Sequence, residues 1–364
     1  MRALNIVDHE YILGELIGVG GMARVYTAED ASKSRVAVKM LHPDLMVDHG
    51  MVRRLLEEGT AARQVSHDNV VRVLDQGTTA DGAPFLAMEH VRGISLGDLI
   101  HRVGPLPLWR IRAIASQILS GLAAIHRAGL MHGDMKSGNV LVDSSDGLDR
   151  VKIIDFGLAR RPGTHLTLLG ENLVAGTPDY MAPELIRGEP ISVATDLYAV
   201  AVILYEMLTG TTPFSGGTTV TIFERQLADE VVPPSLRCPD RTIPLAFERA
   251  ILHDLDKDTS ARDGNAELFA AAVKRALSAD GDDTLFAPGP VAFSTEGPTR
   301  EWAPPPASSM VAERRPRSPL RTGVDDESVG RPRADRHRCT ATPPRGATSG
   351  QPPIWIPSMK RNCS

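Results

Sequence analysis

The chain has 364 residues, enough for one large core or for two lobes and a tail, and its formal net charge of -5 provides no basic field that would hold nucleic acid through its phosphates. Its three cysteines, Cys238, Cys339 and Cys363, are an odd count, far apart and without metal-ligand spacing, which argues against a disulfide framework and suits a reducing cytoplasm. Met1 to Asp8 lack the basic-then-apolar pattern of a leader and no apolar run reaches the length of a bilayer span, so the sequence predicts no membrane span and a cytoplasmic location.

In chain order, residues 1–10 read as a lead. Tyr11 to Ile17, Arg24 to Glu29 and Arg35 to Leu41 then read as three short strands, the first two joined by a glycine-rich turn. Val52 to Val65 follows as a helix, then Val70 to Asp75 and Phe85 to His90 as strands parted by a polar turn at Asp81 and Gly82. From Leu108 the pattern turns helical. Ile111, Ile114, Ala115, Ile118, Leu122 and Ile125 line one face of a helix over Arg110 to Ala128, with Gly129 as its stop. Leu197 to Leu208, interrupted only by Glu206, reads as a buried helix. Beyond Leu277 prolines, arginines, serines and glycines dominate, and residues 278–364 read as a largely disordered tail.

The turn Gly18-Val19-Gly20-Gly21-Met22-Ala23 lies between two strands, so its backbone can approach phosphate oxygens where a Cβ would collide. By itself such a hairpin is only a tight turn, and the dinucleotide-binding version would need a helix to follow. The next strand adds Val36-Ala37-Val38-Lys39, a lysine inside an apolar run whose burial requires an anion. Glu58 on the following helix can pair with it, Glu57 being the neighbouring alternative, and the phosphates of ATP are the other partner.

A second cluster runs His132-Gly133-Asp134-Met135-Lys136-Ser137-Gly138-Asn139, then Val140-Leu141-Val142, and later Asp155-Phe156-Gly157. Phosphoryl transfer needs a carboxylate beside the attacking hydroxyl, a cation near the moving phosphate and oxygen ligands for Mg²⁺. Asp134, Lys136, and the pair Asn139 with Asp155 suit those roles in that order. Taken singly, an Asp or Asn here would be a turn cap; the set, in this order behind the glycine loop and Lys39, is a phosphoryl-transfer pattern.

Over residues 11–277 these motifs resemble the eukaryotic-like (Hanks-type) Ser/Thr protein kinases, bacterial branch, with Gly20-Gly21-Met22 and Leu41-His42-Pro43 carrying the bacterial likeness. The resemblance implies an α+β, bilobal fold, with a small β-rich lobe over about 11–91 and a larger helical lobe over about 92–277. Gly176-Thr177-Pro178-Asp179-Tyr180-Met181-Ala182-Pro183-Glu184 resembles the end of an activation segment, Asp196-Leu197-Tyr198-Ala199-Val200 the start of the buried helix under the catalytic loop, and Arg262 the partner of Glu184. It further implies Asp134, Lys136, Lys39 and Glu58 as catalytic residues and Asn139 and Asp155 as ligands of Mg²⁺, with Mn²⁺ as an alternative. ATP would lie beneath Ile17 and the loop from Gly18 to Ala23, its adenine between Val25, Ala37 and Leu141, with Met88 as gatekeeper and Glu89 and Val91 offering backbone groups. Protein Ser/Thr hydroxyls, the chain's own among them, are the implied acceptors.

Two positions depart from the family. The loop's third glycine is Ala23, which still allows close backbone approach. The arginine that usually precedes the catalytic aspartate is Gly133, so a phosphate on the activation segment loses that contact and Thr164, Thr167 and Thr177 are not required as switches through it. Other readings are a small-molecule phosphotransferase of the same fold, against which Lys136 and the 176–184 segment stand, and a nucleotide-binding scaffold without turnover. The tail's composition suits an inert extension, with a docking region or autophosphorylation at Ser318 or Thr342 as alternatives.

Overall fold

A computed structural model of the chain describes residues 3–6, 9–21, 23–46, 48–79, 82–155, 162–163 and 178–278, all within one unit, Met1–Ser309. Met22, Phe156, Gly157, Thr164, Thr167, Gly176, Thr177 and the stretch from residue 279, with Ser318 and Thr342, lie outside the described residues.

Among the described residues the first part is a six-stranded antiparallel sheet. Its strands are β1 (Ala3–Ile6), β2 (His9–Val19), β3 (Ala23–Glu29), β4 (Arg35–Leu41), β5 (Val73–Thr78) and β6 (Pro84–Glu89), in the order β1-β2-β3-β4-β6-β5. The sequence reading treats residues 1–10 as a lead; in the structure Ala3–Ile6 adds an edge strand paired with His9 to Ile12. Val25 pairs with Lys39 and Lys39 with Leu86, while Ala37 pairs with Met88. Side chains alternate across a strand, so Val25, Ala37, Lys39, Leu86 and Met88 share one face. The opposite face packs Tyr11, Ala28, Val36, Val38, Phe85 and Ala87 into a small core of its own.

Helix α1 (His49–Ala62) covers the Lys39 face. The apolar pattern predicts it three residues later, and Asp48 explains the difference: its carboxylate accepts the N–H groups of Gly50 and Met51 and so fixes the first turn. At the other end the N–H groups of Gln64 and Val65 reach only three residues back, to Ala61 and Ala62, and the helix closes in a tightened turn. Gly59 lets the helix sit down on the sheet, since a Cβ there would stand 2.5 Å from Leu86 Cδ1. Strand β5 also starts three residues later than its pattern indicates, because Val70 instead forms a parallel bridge with Ile153, far along the chain, in which the Val71 N–H donates to the Ile153 carbonyl and the Ile153 N–H to the Asn69 carbonyl.

The second part carries a small sheet of β7 (Ile94–Ser95), β8 (Val140–Asp143) and β9 (Arg150–Ile153), with α2 (Leu96–Val103) and α3 (Leu108–Arg127) between the first two strands. Gly129, at φ +74°, ends α3 as its sequence predicts. Helices α4 (Pro183–Ile186), α5 (Val193–Thr209), α6 (Thr219–Ala228), α7 (Pro234–Arg237), α8 (Leu245–Asp254) and α9 (Ala266–Ala276) follow. Helix α5 opens with a reciprocal cap between Ser192 and Thr195. It is apolar all round and buried from Leu197 to Tyr205, packed between α3 and α8, which makes it the axis of the core. Among the described residues no helix is long and apolar enough to cross a membrane.

Candidate active site

Lys39, on the covered face of β4, meets two carboxylates. Its Nζ donates to Glu58 Oε1 at 2.8 Å and to Asp155 Oδ1 at 2.5 Å. Helix α1 presents Met51, Leu55, Glu58 and Ala62 on one stripe, all buried, so the carboxylate arrives with the apolar face. Glu57, one residue round, is turned outward toward Arg53. Burial alone would lower the Lys39 pKa, yet the charges of Asp155 and Glu58 overcome it and raise the pKa above the ordinary lysine value. Burial pushes Glu58 up to about 7 despite Lys39. For Asp155 the balance reverses: burial would raise it, but the Lys39 charge and hydrogen bond hold it well below the carboxylate range. Asp155 also has φ +67°, a left-handed conformation that Asp tolerates better than most side chains.

The loop after α3 carries the second group. Asp134 Oδ2 accepts from Lys136 Nζ at 2.6 Å and from Asn139 Nδ2 at 3.1 Å, and the same amide nitrogen donates to the Asp134 carbonyl at 2.7 Å. The loop is held from below by Asp196 on α5, 1 % exposed. Its carboxylate accepts the backbone N–H groups of His132 and Gly133, each at 2.8 Å, and lies 2.9 Å from His126 Nε2. Burial would raise the Asp196 pKa; the His126 hydrogen bond and charge, with His132 and the Gly133 N–H, hold it below its ordinary value. Gly133 stands at φ +76°, so glycine here relieves backbone strain that a side chain would carry. The β8–β9 ladder joins the two groups: Val140 pairs with Ile153 and the Ile154 N–H donates to the Asn139 carbonyl, which brings Asn139 beside Asp155.

The glycine-rich turn closes by a bond from the Gly20 N–H to the Ala23 carbonyl. Gly18 is buried, Val19, Gly20 and Gly21 are exposed, and Ile17 and Val25 are half-buried. Ala23 is buried at the start of β3 and keeps a negative φ. Ala37 and Leu141 are buried, whereas Met88, Glu89 and Val91, at the end of β6 and just past it, are half-buried.

The protein kinase domain model matches residues 11–262. This chain belongs to the protein kinase family. It is 40% identical over 275 residues to the serine/threonine-protein kinase pkn3 of Myxococcus xanthus, covering 74% of this chain and 50% of that one. It is 34% identical over 235 residues to PknB of Mycobacterium leprae, with 64% and 37% covered, and 34% identical over 275 residues to PrkC of Bacillus subtilis, with 75% and 41% covered. The chain therefore spans half or less of the length of these relatives. Membership brings the bilobal fold and, as a family property, use of ATP and a divalent metal.

Glu184 at the start of α4 is tied down by a buried fork: Arg262 Nη1 and Nη2 donate to Glu184 Oε1 and Oε2 at 2.8 and 2.9 Å, while the guanidinium lies over the Tyr198 ring. Some kinase-site contacts escaped the sequence. Glu206, visible there only as an interruption of an apolar run, accepts the Tyr180 hydroxyl at 2.6 Å, and that hydroxyl lies 2.8 Å from Ser137 Oγ in the loop after α3. Glu89 Oε1 takes the Arg72 N–H at 2.9 Å and Lys152 Nζ at 2.6 Å, tying the end of β6 to β9. His42 Nε2 lies 2.7 Å from the Gly20 carbonyl at the tip of the glycine-rich turn. A charge inside an apolar run was the one available signal for Glu206; nothing local marks the other two.

Proposed function

We propose that the chain is a serine/threonine protein kinase, transferring the γ-phosphoryl group of ATP to Ser and Thr hydroxyls of proteins, itself among them, in bacterial signalling. The meeting of Lys39 with Glu58 and Asp155, from three separate elements, beside a loop carboxylate flanked by Lys136 and Asn139, carries this function.

The donor set suits Mg²⁺, and Mn²⁺ in its place: Asp155 is a carboxylate kept ionised, and Asn139 spends its amide nitrogen on Asp134, which leaves its side-chain oxygen for a hard cation. Asp155 and Asn139 would hold such an ion, which would supply neutralisation of the phosphate charge. Lys39, steadied by Glu58, orients the α and β phosphates of ATP. The backbone of Gly18, Val19, Gly20, Gly21 and Ala23 covers the phosphates, Ile17, Val25, Ala37 and Leu141 sandwich the adenine, Met88 is the gatekeeper, and Glu89 and Val91 offer it backbone groups. Asp134 orients the acceptor hydroxyl and takes its proton as the new O–P bond forms and the bond to the β-phosphate oxygen breaks, releasing ADP. Lys136 neutralises the moving phosphoryl group. Positioning and electrostatics do this work without a covalent enzyme intermediate. Supply of ATP and the unbridged thiol of Cys238 favour the cytoplasm as the place of action.

The test is incubation of the full chain with radiolabelled ATP and Mg²⁺, a generic basic protein and the Asp134→Asn variant. Label on serine and threonine, falling about 10²–10⁴-fold in the variant, is the expected outcome. Nucleotide binding without label on any protein would sink the proposal.

A further inference from the structure

A groove of about 720 Å³ lies between the first half of α3 and the last turns of α9, away from the candidate active site. Trp109 and Leu119 give it an apolar wall, and the small side chains of Ala270 and Ala271 open it on the α9 side. Arg112 and Lys274 add two cationic groups to its lining. The two helices run antiparallel, because Arg127 at the end of α3 meets Glu267 at the start of α9 at 2.6 Å. The groove therefore sits at the end of α9 from which the chain departs.

The departing sequence matches that lining. Beyond Ser278 it reads Ala279-Asp280-Gly281-Asp282-Asp283-Thr284-Leu285-Phe286, three carboxylates followed by two large apolar side chains. Nothing else in residues 279–364 pairs a run of acids with adjacent Leu and Phe. Reach is sufficient: Ala270 to Lys274 lie roughly 6–12 Å from the helix exit at about 1.5 Å per residue, and the seven residues from Ser278 to Leu285 span up to about 25 Å.

We propose that the groove between α3 and α9 seats the chain's own segment 280–286, with Leu285 and Phe286 against Trp109 and Leu119 and the Asp280, Asp282 and Asp283 carboxylates facing Arg112 and Lys274. The occupant is intramolecular, since the tether keeps its effective concentration far above that of a free partner. The first residues of the tail then act as a clasp on the helical part, in place of the inert role that composition suggests for them.

The test uses the full chain carrying Trp302→Phe and Trp355→Phe, which leaves Trp109 as the only tryptophan. Adding Leu285→Asp and Phe286→Asp should move Trp109 emission to the red and raise its quenching by acrylamide, with the far-ultraviolet circular dichroism unchanged. Arg112→Glu with Lys274→Glu should do the same, and Asp282→Lys with Asp283→Lys on that background should restore the original emission. Unchanged Trp109 emission in the Leu285 and Phe286 variant overturns the proposal. As a second measurement, p-benzoylphenylalanine replacing Phe286 should crosslink within one chain to residues 109–119 or 270–274. Crosslinks elsewhere, or only between isotopically light and heavy copies, also overturn it.

Discussion

Lys39 and Asp134 belong to the two groups of the candidate active site and are held in different ways. Lys39 projects from a small sheet and is fixed by two carboxylates that arrive from α1 and from two residues past β9, so its position depends on charge and on the seating of a single helix. Asp134 sits on a loop whose backbone is bonded to Asp196, a residue of the most buried helix in the described structure. A perturbation in the first group changes the chemistry while the core survives, whereas one beneath the second group loosens loop and core together.

The largest expected effect tests that contrast. Asp196→Ala leaves the buried His132 N–H, the half-buried Gly133 N–H and His126 without their acceptor, which should cost about 3–5 kcal/mol and lower the melting temperature by roughly 10 °C, with turnover lost alongside. Lys39→Met should instead reduce phosphoryl transfer about 10²–10³-fold while the melting temperature stays near that of the parent, because Glu58, raised to about 7, can take a proton when its partner goes. Equal melting temperatures in the two variants would erase the distinction.

Acid sharpens it. The Asp196 pKa is lower in the folded chain than its ordinary 3.8, so its stabilisation is present above that value and is lost as the pH falls through the folded one. Asp196→Asn should be less stable than the parent at pH 7, and the gap should narrow below about pH 4 by at most about 1.4 kcal/mol per pH unit. Thermal melts from pH 3 to 7 measure this. A smaller effect is expected at His42, which bonds the glycine-rich turn: His42→Ala should raise the KM for ATP about fivefold, the equivalent of one hydrogen bond of about 1 kcal/mol, with little change in kcat. The smallest is at the activation segment. With Gly133 in place of an arginine, Thr164→Ala with Thr167→Ala should leave peptide turnover close to wild type, and a collapse in rate would mean that another cation reads the phosphate.

Much of this was legible along the chain. Strands β3 and β4 follow the alternation of their apolar residues, α3 ends at Gly129, and Asp134, Lys136 and Asn139 of the loop after α3 lie close enough in sequence for their spacing to bring them together. The start of α1 was also signalled, by Asp48, although the apolar period drew the boundary three residues too late. Strand β5 was different: Val70 and Val71 have strand-like side chains, but Val70 sits in a parallel bridge opposite Ile153, with the Val71 N–H donating to the Ile153 carbonyl and the Ile153 N–H to that of Asn69, a partner that no local pattern reveals.

The sequence by itself determined which groups were at hand, namely a lysine that needs an anion, a loop with carboxylate, ammonium and amide, and glycines where the backbone bends. Only the tertiary structure decided which of them meet. Glu57 and Glu58 are equivalent in composition and differ by about 100° around the helix; the choice fell to Glu58 because Gly59 lets α1 lie close on Leu86 and turns that side toward Lys39. Asp155 reaches Lys39 across 116 residues of chain, and Asp196 reaches the loop across 63 or more. Local propensity acts over a few residues, whereas these contacts are set by how the sheets and helices bury their apolar faces, and that burial is a property of the whole fold.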